Sequence, residues 1–249
     1  MSAARPAPSP SDVLVGSYNV HKGVGSDMRR DPDRIIEVLR EIGGDIVALQ
    51  EVDRRFGDRK GVLDLEQLNQ ATGLSPVGLG GRLGRLAHGW HGNLLLFRNA
   101  EVEAVRAITL PGLEPRGAIV ADLRLGGHPL RVIAAHLGLL HQSRLMQARR
   151  LAAEIETDDG RPTLLMGDMN EWRIGTNCSL MPLRKGLRAV KRSAELSVPS
   201  FPARMPVLPL DRIIVGDGAE LIEVSPHRSR LARTASDHLP VKARLRFLP

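Results

Sequence analysis

The sequence predicts a layered α/β domain whose sheets contain both parallel and antiparallel strands. Short apolar runs bounded by turn residues recur along the chain and are interleaved with a few helical patterns. The Gly126-Gly127 pair separates two such runs and indicates a β-hairpin, so part of the sheet structure is antiparallel. The 249 residues suit one large domain or two small ones, and no strong linker divides them. We therefore expect a disordered Pro/Ala/Ser-rich tail over residues 1–11 and a single domain over residues 12–249.

The first half of the chain predicts two helices and a series of strands. Asp31-Pro32-Asp33 supplies an Asp cap, a Pro at the first helical position and a second acid near the positive end of the helix dipole. An apolar stripe follows, and Gly43-Gly44 ends this helix. Residues 63–72 are also helical in pattern. Strand patterns cover residues 12–20, 45–52, 93–97, 102–110, 117–125 and 130–137.

The second half begins with a predicted helix over residues 143–157, whose apolar residues recur at helical spacing. A short helix is expected near 179–186, and strands are expected over residues 163–167, 210–215, 220–224 and 241–247. The segment 197–209 contains four prolines, which exclude regular structure. Two interpretations of this segment stay open: a membrane-touching loop, or a segment that packs on the sheet and positions Asp211.

The composition favours a basic protein from a reducing compartment. The formal net charge is +7, and only five of the 35 basic residues are lysine. Such an excess favours polyanionic partners, nucleic acid or an anionic lipid surface, although arginine-rich coding bias over a solvated surface explains it equally well. No apolar run approaches the ~20 residues of a membrane-spanning helix, and the start lacks a secretory apolar core. Cys178 is the only cysteine, so we expect a cytoplasmic location.

Polar side chains stand where many of the predicted strands end or begin. Each alone is readily explained as a satisfied structural residue, but ligand and catalytic groups gather at such ends because a rigid sheet holds them within tight tolerances. The set consists of Asn19, His21, Gln50, Glu51, His136, Asp168, Asn170, Asp211, Asp237 and His238.

The chemistry of this set points to metal-assisted attack of water on phosphorus. Its hard oxygen ligands suit Mg²⁺ or Mn²⁺ rather than Zn²⁺, and no cysteine cluster or HExxH motif argues for zinc. His136 and His238 can each donate a hydrogen bond to a phosphate oxygen. Carboxylates, a hard cation and two histidines together make a site for phosphoester hydrolysis.

Seven motifs, in this order and spacing, resemble those of the endonuclease/exonuclease/phosphatase (DNase I-like) family, as a bacterial-type member: NVHKG, LQEVD, the HGN before LLLFR, AAHLG, GDMNEW, LDRIIV and SDHLPV. The family includes DNase I-like nucleases, abasic-site endonucleases, inositol polyphosphate phosphatases and bacterial sphingomyelinases. The match runs from about residue 13 to residue 246. The resemblance implies a four-layer α/β sandwich of two packed mixed sheets flanked by helices, with the site at one end.

The resemblance also implies how one or two metal ions are held. Asn19 and Glu51 would bind the metal, with Glu51 as the main ligand. Asp237 would assist either the metal or His238.

The catalytic roles follow from the same resemblance. Asp168 would orient and deprotonate the attacking water, and Asn170 would help to fix that water or the phosphate. His136 would stabilise charge on the phosphoryl oxygens or assist the leaving group. His238 would bind the phosphate, oriented by Asp211.

Several residues keep two interpretations. Asn93 could bind substrate or support His136, or it could only make a turn. Arg116 could reach a phosphate or form a buried ion pair. Asp211 and Arg212 could instead be a surface ion pair, and Trp172 is read as a packed loop anchor rather than a base-stacking platform.

The leading function is therefore a Mg²⁺-dependent phosphoesterase that cleaves phosphodiester bonds, with nucleic acid as the leading substrate. The alternatives are a phospholipid or small phosphorylated head-group diesterase or phosphatase, and a non-catalytic phosphate- or DNA-binding module. The basic charge favours nucleic acid, whereas an aromatic content of 3% argues against base stacking. The nucleases of the family that this chain resembles commonly carry a mid-chain tyrosine, and its absence here argues against abasic-site repair. A water-activating carboxylate argues against a pure binding module.

Overall fold

The first of two mixed sheets contains six strands in a computed structural model that describes residues 12–54, 59–80, 86–155, 160–173, 175–184 and 198–248. The predicted tail over residues 1–11 lies outside the described residues. The strands of this sheet are β1 (Val13–Asn19), β2 (Ile46–Gln50), β3 (Ser75–Pro76), β4 (Leu94–Phe97), β10 (Ala219–Pro226) and β11 (Val241–Phe247). Their spatial order is β10-β11-β1-β2-β4-β3, and only β1 and β2 pair in parallel.

The second sheet contains five strands: β5 (Ala100–Leu110), β6 (Arg116–Leu125), β7 (His128–His136), β8 (Thr163–Asp168) and β9 (Asp211–Val215). They lie in sequence order, and the hairpin predicted at Gly126-Gly127 joins β6 to β7. Only β7 and β8 are parallel neighbours. The prediction of mixed sheets is therefore confirmed.

Helices cover the outer faces of both sheets. They are α1 (Asp33–Ile42), α2 (Leu65–Thr72), α3 (His141–Ile155) and α4 (Ala232–Ala235), with 3-10 turns at His21–Gly23, Gly175–Asn177 and Met181–Arg184. The first, second and fourth helices pack on the first sheet, and α3 packs on the second. A third apolar layer lies between the sheets, so the four-layer sandwich is confirmed. No helix in the described part of the chain is long and apolar enough to cross a bilayer.

The alternation of side chains along a strand separates the inner and outer layers. In β8, Leu164 and Met166 lie in the layer between the sheets, whereas Leu165 packs in the layer with α3. All three are fully buried, and each contributes roughly 1.5–3 kcal/mol through removal of apolar surface from water. Every second residue of such a strand is therefore aimed at the interior, and this includes the polar residue at its end.

Most predicted elements lie within a few residues of the observed ones, with three differences. Strand β3 and helix α4 were not predicted, because two and four residues are too short to show a period. Residues 181–184 form a 3-10 turn instead of the expected short helix, whose last residues lie outside the described chain. The predicted Asp31 cap is wrong: α1 begins at Asp33 without a side-chain cap, and Asp31 accepts from Arg34 Nε at 2.9 Å.

Candidate active site

Three neighbouring strands of the second sheet carry site residues at one register. His136 ends β7, Asp168 ends β8 directly beside it, and Asp211 begins β9 directly beside Asp168. All three side chains are buried, on the inner face set by the alternation of each strand. Strands lie about 4.8 Å apart, so the sheet itself fixes the spacing of these polar groups.

Asn19 brings the first sheet to Asp168. It ends β1, and its Nδ2 donates to Asp168 Oδ2 at 2.9 Å. The backbone N–H of Asn170 donates to the other carboxylate oxygen, also at 2.9 Å. The Asp168 carboxylate is thereby held by one donor from the first sheet and one from the loop after β8.

His238 forms a charged pair on one side of Asp168. Its Nδ1 donates to Asp211 Oδ2 at 2.8 Å, and Ser200 Oγ donates to the same oxygen at 2.5 Å. The other ring nitrogen, Nε2, lies 3.8 Å from Asp168 Oδ2. Burial disfavours the charged ring, but Asp211 and Asp168 outweigh burial and raise the pKa of His238 to about 10. His238 is therefore an imidazolium at neutral pH.

His136 lies on the other side of Asp168 and, unlike His238, is uncharged. Its Nε2 is 3.4 Å from Asp168 Oδ2 and 3.2 Å from Asn170 Nδ2. Arg116 Nη1 lies 3.0 Å from both ring nitrogens. Burial and the Arg116 charge lower the pKa of His136 to about 4, although Asp168 opposes them. This ring is therefore uncharged at neutral pH. It can donate or accept a hydrogen bond without adding charge to the site.

The structural interpretations of Arg116 and Asn93, an ion pair and a turn, each have a counterpart in the fold. Arg116 Nη2 forms an ion pair with Glu114 Oε2 at 3.0 Å while its other nitrogen contacts His136. The amide of Asn93 donates to the backbone carbonyls of Trp90 and Gly117, at 3.0 and 2.9 Å, and so closes a turn. Its buried Oδ1 has no hydrogen-bond partner among the described residues. A role in substrate binding stays a prediction for both residues.

Glu51 follows β2 and carries an ionised carboxylate. Burial disfavours its charged form, but the nearby His136 and the Lys22 ammonium, which hydrogen-bonds Glu51 Oε2, lower the pKa of Glu51 to about 2. The backbone carbonyl of Glu51 also accepts from Lys22 N–H at 3.1 Å. The sequence did not single out Lys22, because a lysine just after a strand is ordinary; its only signal was its position within NVHKG.

Left-handed backbone conformations of non-glycine residues gather near these side chains. Their φ angles lie between 44° and 58° at His21, Lys22, Glu51, His91 and Asn170. Such conformations cost of the order of 1–3 kcal/mol each unless the side chain offsets the strain locally. The surrounding hydrogen bonds hold this edge of the molecule in shape at some cost to stability, which is typical of functional sites.

The oxygen donors of Glu51, Asn19 and Asp237 suit a hard divalent cation. The Glu51 carboxylate already holds a positive group, and Asn19 Oδ1 accepts one hydrogen bond, from His21 N–H at 3.0 Å, which leaves a lone pair. Asp237 is half-buried, and its Oδ1 lies 3.3 Å from Ser236 Oγ and 3.7 Å from His21 Nδ1. Oxygen donors of this kind suit Mg²⁺ or Mn²⁺.

A second group of possible ligands comprises Asp168, Asp211 and His238, whose nearest ligand atoms lie within 4.8 Å of one another. Here the chemistry is less suited to a metal. Nδ1 of His238 donates to Asp211 Oδ2, and Ser200 Oγ donates to the same oxygen, so these atoms are already engaged with one another. The oxygen donors near Glu51 are the better match.

The GDMNEW loop is held in place by a buried carboxylate that the sequence did not identify as important. Glu171 accepts from Ser179 N–H at 2.9 Å, from Ser179 Oγ at 2.5 Å and from Arg173 N–H at 2.9 Å. The fully buried Arg144 lies 3.6 Å from the same side chain. These contacts fix the loop that carries Asn170.

Geometry decides between the two readings of Arg212, whereas the reading of Trp172 stays a prediction. Asp211 is buried against His238, so it does not form a surface ion pair with Arg212. Arg212 Nη2 instead donates to the backbone carbonyl of Glu171 at 3.0 Å. Trp172 is not fully packed: 45% of it is exposed, and the guanidinium of Arg173 lies 5.1 Å from its ring centre.

The sequence model of the Endonuclease/Exonuclease/phosphatase family matches residues 16–238, a span that runs from β1 to His238. The chain belongs to this family. The family consists of metal-dependent hydrolases of phosphoric esters, and the predicted family and enzyme class are thereby confirmed.

One relative and two solved structures are similar to this chain over most of its length. The uncharacterized protein YbhP of Escherichia coli (strain K12) is 30% identical over 243 residues, covering 92% of this chain and 94% of YbhP. The mannosyl-6-phosphatase Bt3783 of Bacteroides thetaiotaomicron VPI-5482 is 19% identical with a TM-score of 0.70, covering 94% of this chain and 100% of its own. Danio rerio TDP2 complexed with a single-strand DNA product is 16% identical with a TM-score of 0.66, covering 95% and 99%. The two solved structures share the fold of this chain; one is a mannosyl-6-phosphatase, and the other is complexed with single-strand DNA.

Proposed function

We propose that this protein hydrolyses phosphodiester bonds with the help of Mg²⁺ or Mn²⁺, using Asp168 to activate the attacking water. The observation that carries the proposal is the placement of the Asp168 carboxylate. Its Oδ2 lies 2.9 Å from Asn19 Nδ2, 3.4 Å from His136 Nε2 and 3.8 Å from His238 Nε2. Phosphoester hydrolysis needs such a base beside a positively charged group.

Asp168 is suited to act as the base because hydrogen bonds orient both of its carboxylate oxygens. Asn19 and the Asn170 backbone are neutral donors that fix both carboxylate oxygens. The charged His238 ring, held by Asp211, supplies positive charge where negative charge develops on the phosphoryl oxygens. The neutral His136 ring, with Asn170 and Arg116 beside it, provides hydrogen bonds on the opposite side of Asp168.

Glu51 and Asn19 would hold the metal ion, with Asp237 assisting it or His238. The ion would act as a Lewis acid that neutralises charge on the phosphoryl group. One or two ions agree with this donor set. Lys22 Nζ contacts Glu51 Oε2, so an ion that takes this oxygen would displace the ammonium group.

Two substrate classes have specific support. The net charge of +7 favours nucleic acid, the substrate expected first from sequence. The Pro-rich segment 198–209 holds Asp211 through Ser200. The same segment carries the exposed Met205 and Val207, and these apolar side chains support a phospholipid as the alternative substrate. A cytoplasmic location stays our proposal, on the single Cys178.

The proposal is tested by replacing Asp168 with Asn, which keeps the shape and removes the base. We expect kcat to fall by roughly 10²–10⁴-fold. The assay measures cleavage of bis(p-nitrophenyl) phosphate, plasmid DNA and phospholipid vesicles, each with Mg²⁺ and with EDTA. Arg149→Gln, at an exposed position on α3, is the matched control and should keep full activity. Near-normal turnover by Asp168→Asn, or activity that survives EDTA, would contradict the proposed mechanism.

A further inference from the structure

Exposed apolar side chains gather on loops next to the site, in two groups. The loops after β5, β7 and β8 open at the same edge as His136 and Asp168, because β6 runs antiparallel to β7 and β8 runs parallel to it. The first apolar lobe is formed by Leu113, Leu139, Leu140 and Trp172, whose exposed fractions run from 45% for Trp172 to 85% for Leu113. Large apolar side chains are seldom this exposed together unless they contact a partner.

Hydrogen bonds make the first apolar lobe continuous. Glu114 Oε1 accepts from Leu139 N–H at 2.6 Å and so joins the loop that carries Leu113 to the loop that carries Leu139. Arg144 Nη1 donates to Leu139 O at 2.5 Å, and its guanidinium carbon lies 5.8 Å from the centre of the Trp172 ring. The same Glu114 pairs with Arg116, which contacts His136. The lobe is therefore attached directly to one side of the site.

The second apolar lobe lies on the opposite side of the site and is formed by Met28, Met205 and Val207, which are 82%, 71% and 58% exposed. Met28 is on the loop after β1, and the other two are on the Pro-rich segment before β9. The two loops are joined because Arg204 Nε donates to Ser26 Oγ at 3.1 Å.

Backbone and ring contacts attach the second apolar lobe to the catalytic residues. Ala203 N–H donates to Asp237 O at 2.7 Å. The Phe201 ring lies 4.8 Å from the His238 ring. Movement of the lobe would therefore reach His238 directly.

Arginines surround the second apolar lobe. Arg29, Arg30 and Arg204 are exposed, and Arg233 is half-buried with its Nη1 donating to Arg204 O at 3.1 Å. Within the described part of the chain, none of the four forms an ion pair with an acid, whereas the neighbouring Asp27 is already paired with Arg34. The lobe thus combines apolar tips with unneutralised positive charge.

We propose that the two apolar lobes dock this edge of the protein onto an anionic lipid bilayer. Apolar tips enter the interface between head groups and acyl chains, and arginines beside them pair with anionic head groups. Single-stranded nucleic acid would call for stacking platforms, but six of the seven tips are aliphatic. A second copy of the chain would place these arginines against each other. Cleavage of the docked head groups rests on the proposed function, whereas docking itself does not.

The experiment measures co-sedimentation of the full chain with vesicles of phosphatidylcholine and with vesicles of phosphatidylcholine and phosphatidylglycerol in equal parts, in EDTA. We expect binding to the anionic vesicles alone, weakening with added salt. The double variants Met205→Ser/Val207→Ser and Leu113→Ser/Leu139→Ser should each lose about tenfold or more in partition. Arg29→Gln/Arg30→Gln should lose about tenfold as well. The control Val102→Ser/Leu248→Ser removes two apolar groups elsewhere on the surface, 39% and 46% exposed, and should bind like the parent protein.

The outcomes separate docking from catalysis. Equal binding by the lobe variants and the control, or binding to a DNA duplex without binding to vesicles, would overturn the docking surface. Lobe variants that still cleave soluble bis(p-nitrophenyl) phosphate are folded with an intact site, so their loss of vesicle binding would support docking. Asp168→Asn should bind vesicles like the parent protein although it is inactive, and thus loss of the proposed function alone leaves docking standing.

Discussion

Two buried histidines lie on the two sides of Asp168, and one of them is charged at neutral pH while the other is neutral. His238 and His136 are both almost fully buried, and both lie within 4 Å of the same carboxylate oxygen, at 3.8 and 3.4 Å. The pKa of His238 is raised to about 10 and that of His136 is lowered to about 4. Since burial acts alike on both rings, the difference comes from the second neighbour: the Asp211 carboxylate beside His238 and the Arg116 guanidinium beside His136.

This comparison assigns different work to the two rings. A ring that stays charged across the physiological range can neutralise a phosphate but cannot act as a base. A neutral ring can accept or pass on a hydrogen bond without adding to the positive charge of the site. The Asp168 carboxylate lies between these two rings.

The largest expected effect comes from breaking the Asp211 side of the comparison. Asp211→Asn leaves the His238 ring buried without its counter-charge, and the pKa of His238 should fall well below 10. We expect kcat/KM for the diester to fall by roughly 10²-fold or more and the free energy of unfolding to fall by about 3–5 kcal/mol. NMR titration of the ring and chemical denaturation measure the two effects. A His238 that titrates near 10 in this variant would show that Asp211 does not hold the charge.

An intermediate effect should appear in the pH dependence of stability in EDTA. His238 has a raised folded pKa, so its contribution is complete below an unfolded pKa of ~6.5 and is lost as the pH rises toward 10. His136 has a lowered folded pKa, so only the unfolded state binds its proton between pH ~6.5 and 4, and stability falls as the pH falls through that window. On the alkaline limb (above pH ~6.5) and on the acid limb (below it), the free energy of unfolding can change by about 1.4 kcal/mol per pH unit.

Single histidine variants separate these two limbs. His238→Gln should flatten the alkaline limb alone, and His136→Gln should flatten the acid limb alone. Urea denaturation across the pH range measures both. If His238→Gln left the alkaline limb unchanged, the charged state of His238 would be wrong.

The smallest effect tests the Arg116 side. Arg116→Gln removes one positive charge near His136, and the pKa of His136 should rise by up to about one unit while burial keeps it below 6.5. Arg116→Lys keeps the charge and should leave the pKa nearly unchanged. NMR titration of the His136 ring distinguishes them. Identical titration of both variants would show that burial alone sets the neutral state.

Much of the fold was predictable from local pattern. The alternation in β8 and the helical spacing in α3 gave both the element and its buried face, because burial repeats with the period of the backbone. The short β3 and α4 offered no period, and the Asp31 cap failed because that side chain pairs with Arg34. For the site, strand ends correctly marked side chains that meet around Asp168, while their individual roles stay predictions.

Other parts of the site had no sequence signal of their own. Lys22 and Ser200 are ordinary polar residues in their local segments, yet one lies on Glu51 and the other on Asp211. Glu171 was not singled out from the sequence, yet it is buried and holds the loop after β8. Each depends on partners distant along the chain.

The sequence alone determined the family, the layered sheets and the polar strand ends of this protein, because periodicity and motif spacing are properties of neighbouring residues. Only the tertiary structure decided which histidine is charged, that the Lys22 ammonium contacts Glu51, and which exposed apolar side chains share an edge with the site. The reason is physical: a residue's burial follows from its local pattern, whereas its charge state depends on side chains that folding brings within a few ångströms of it.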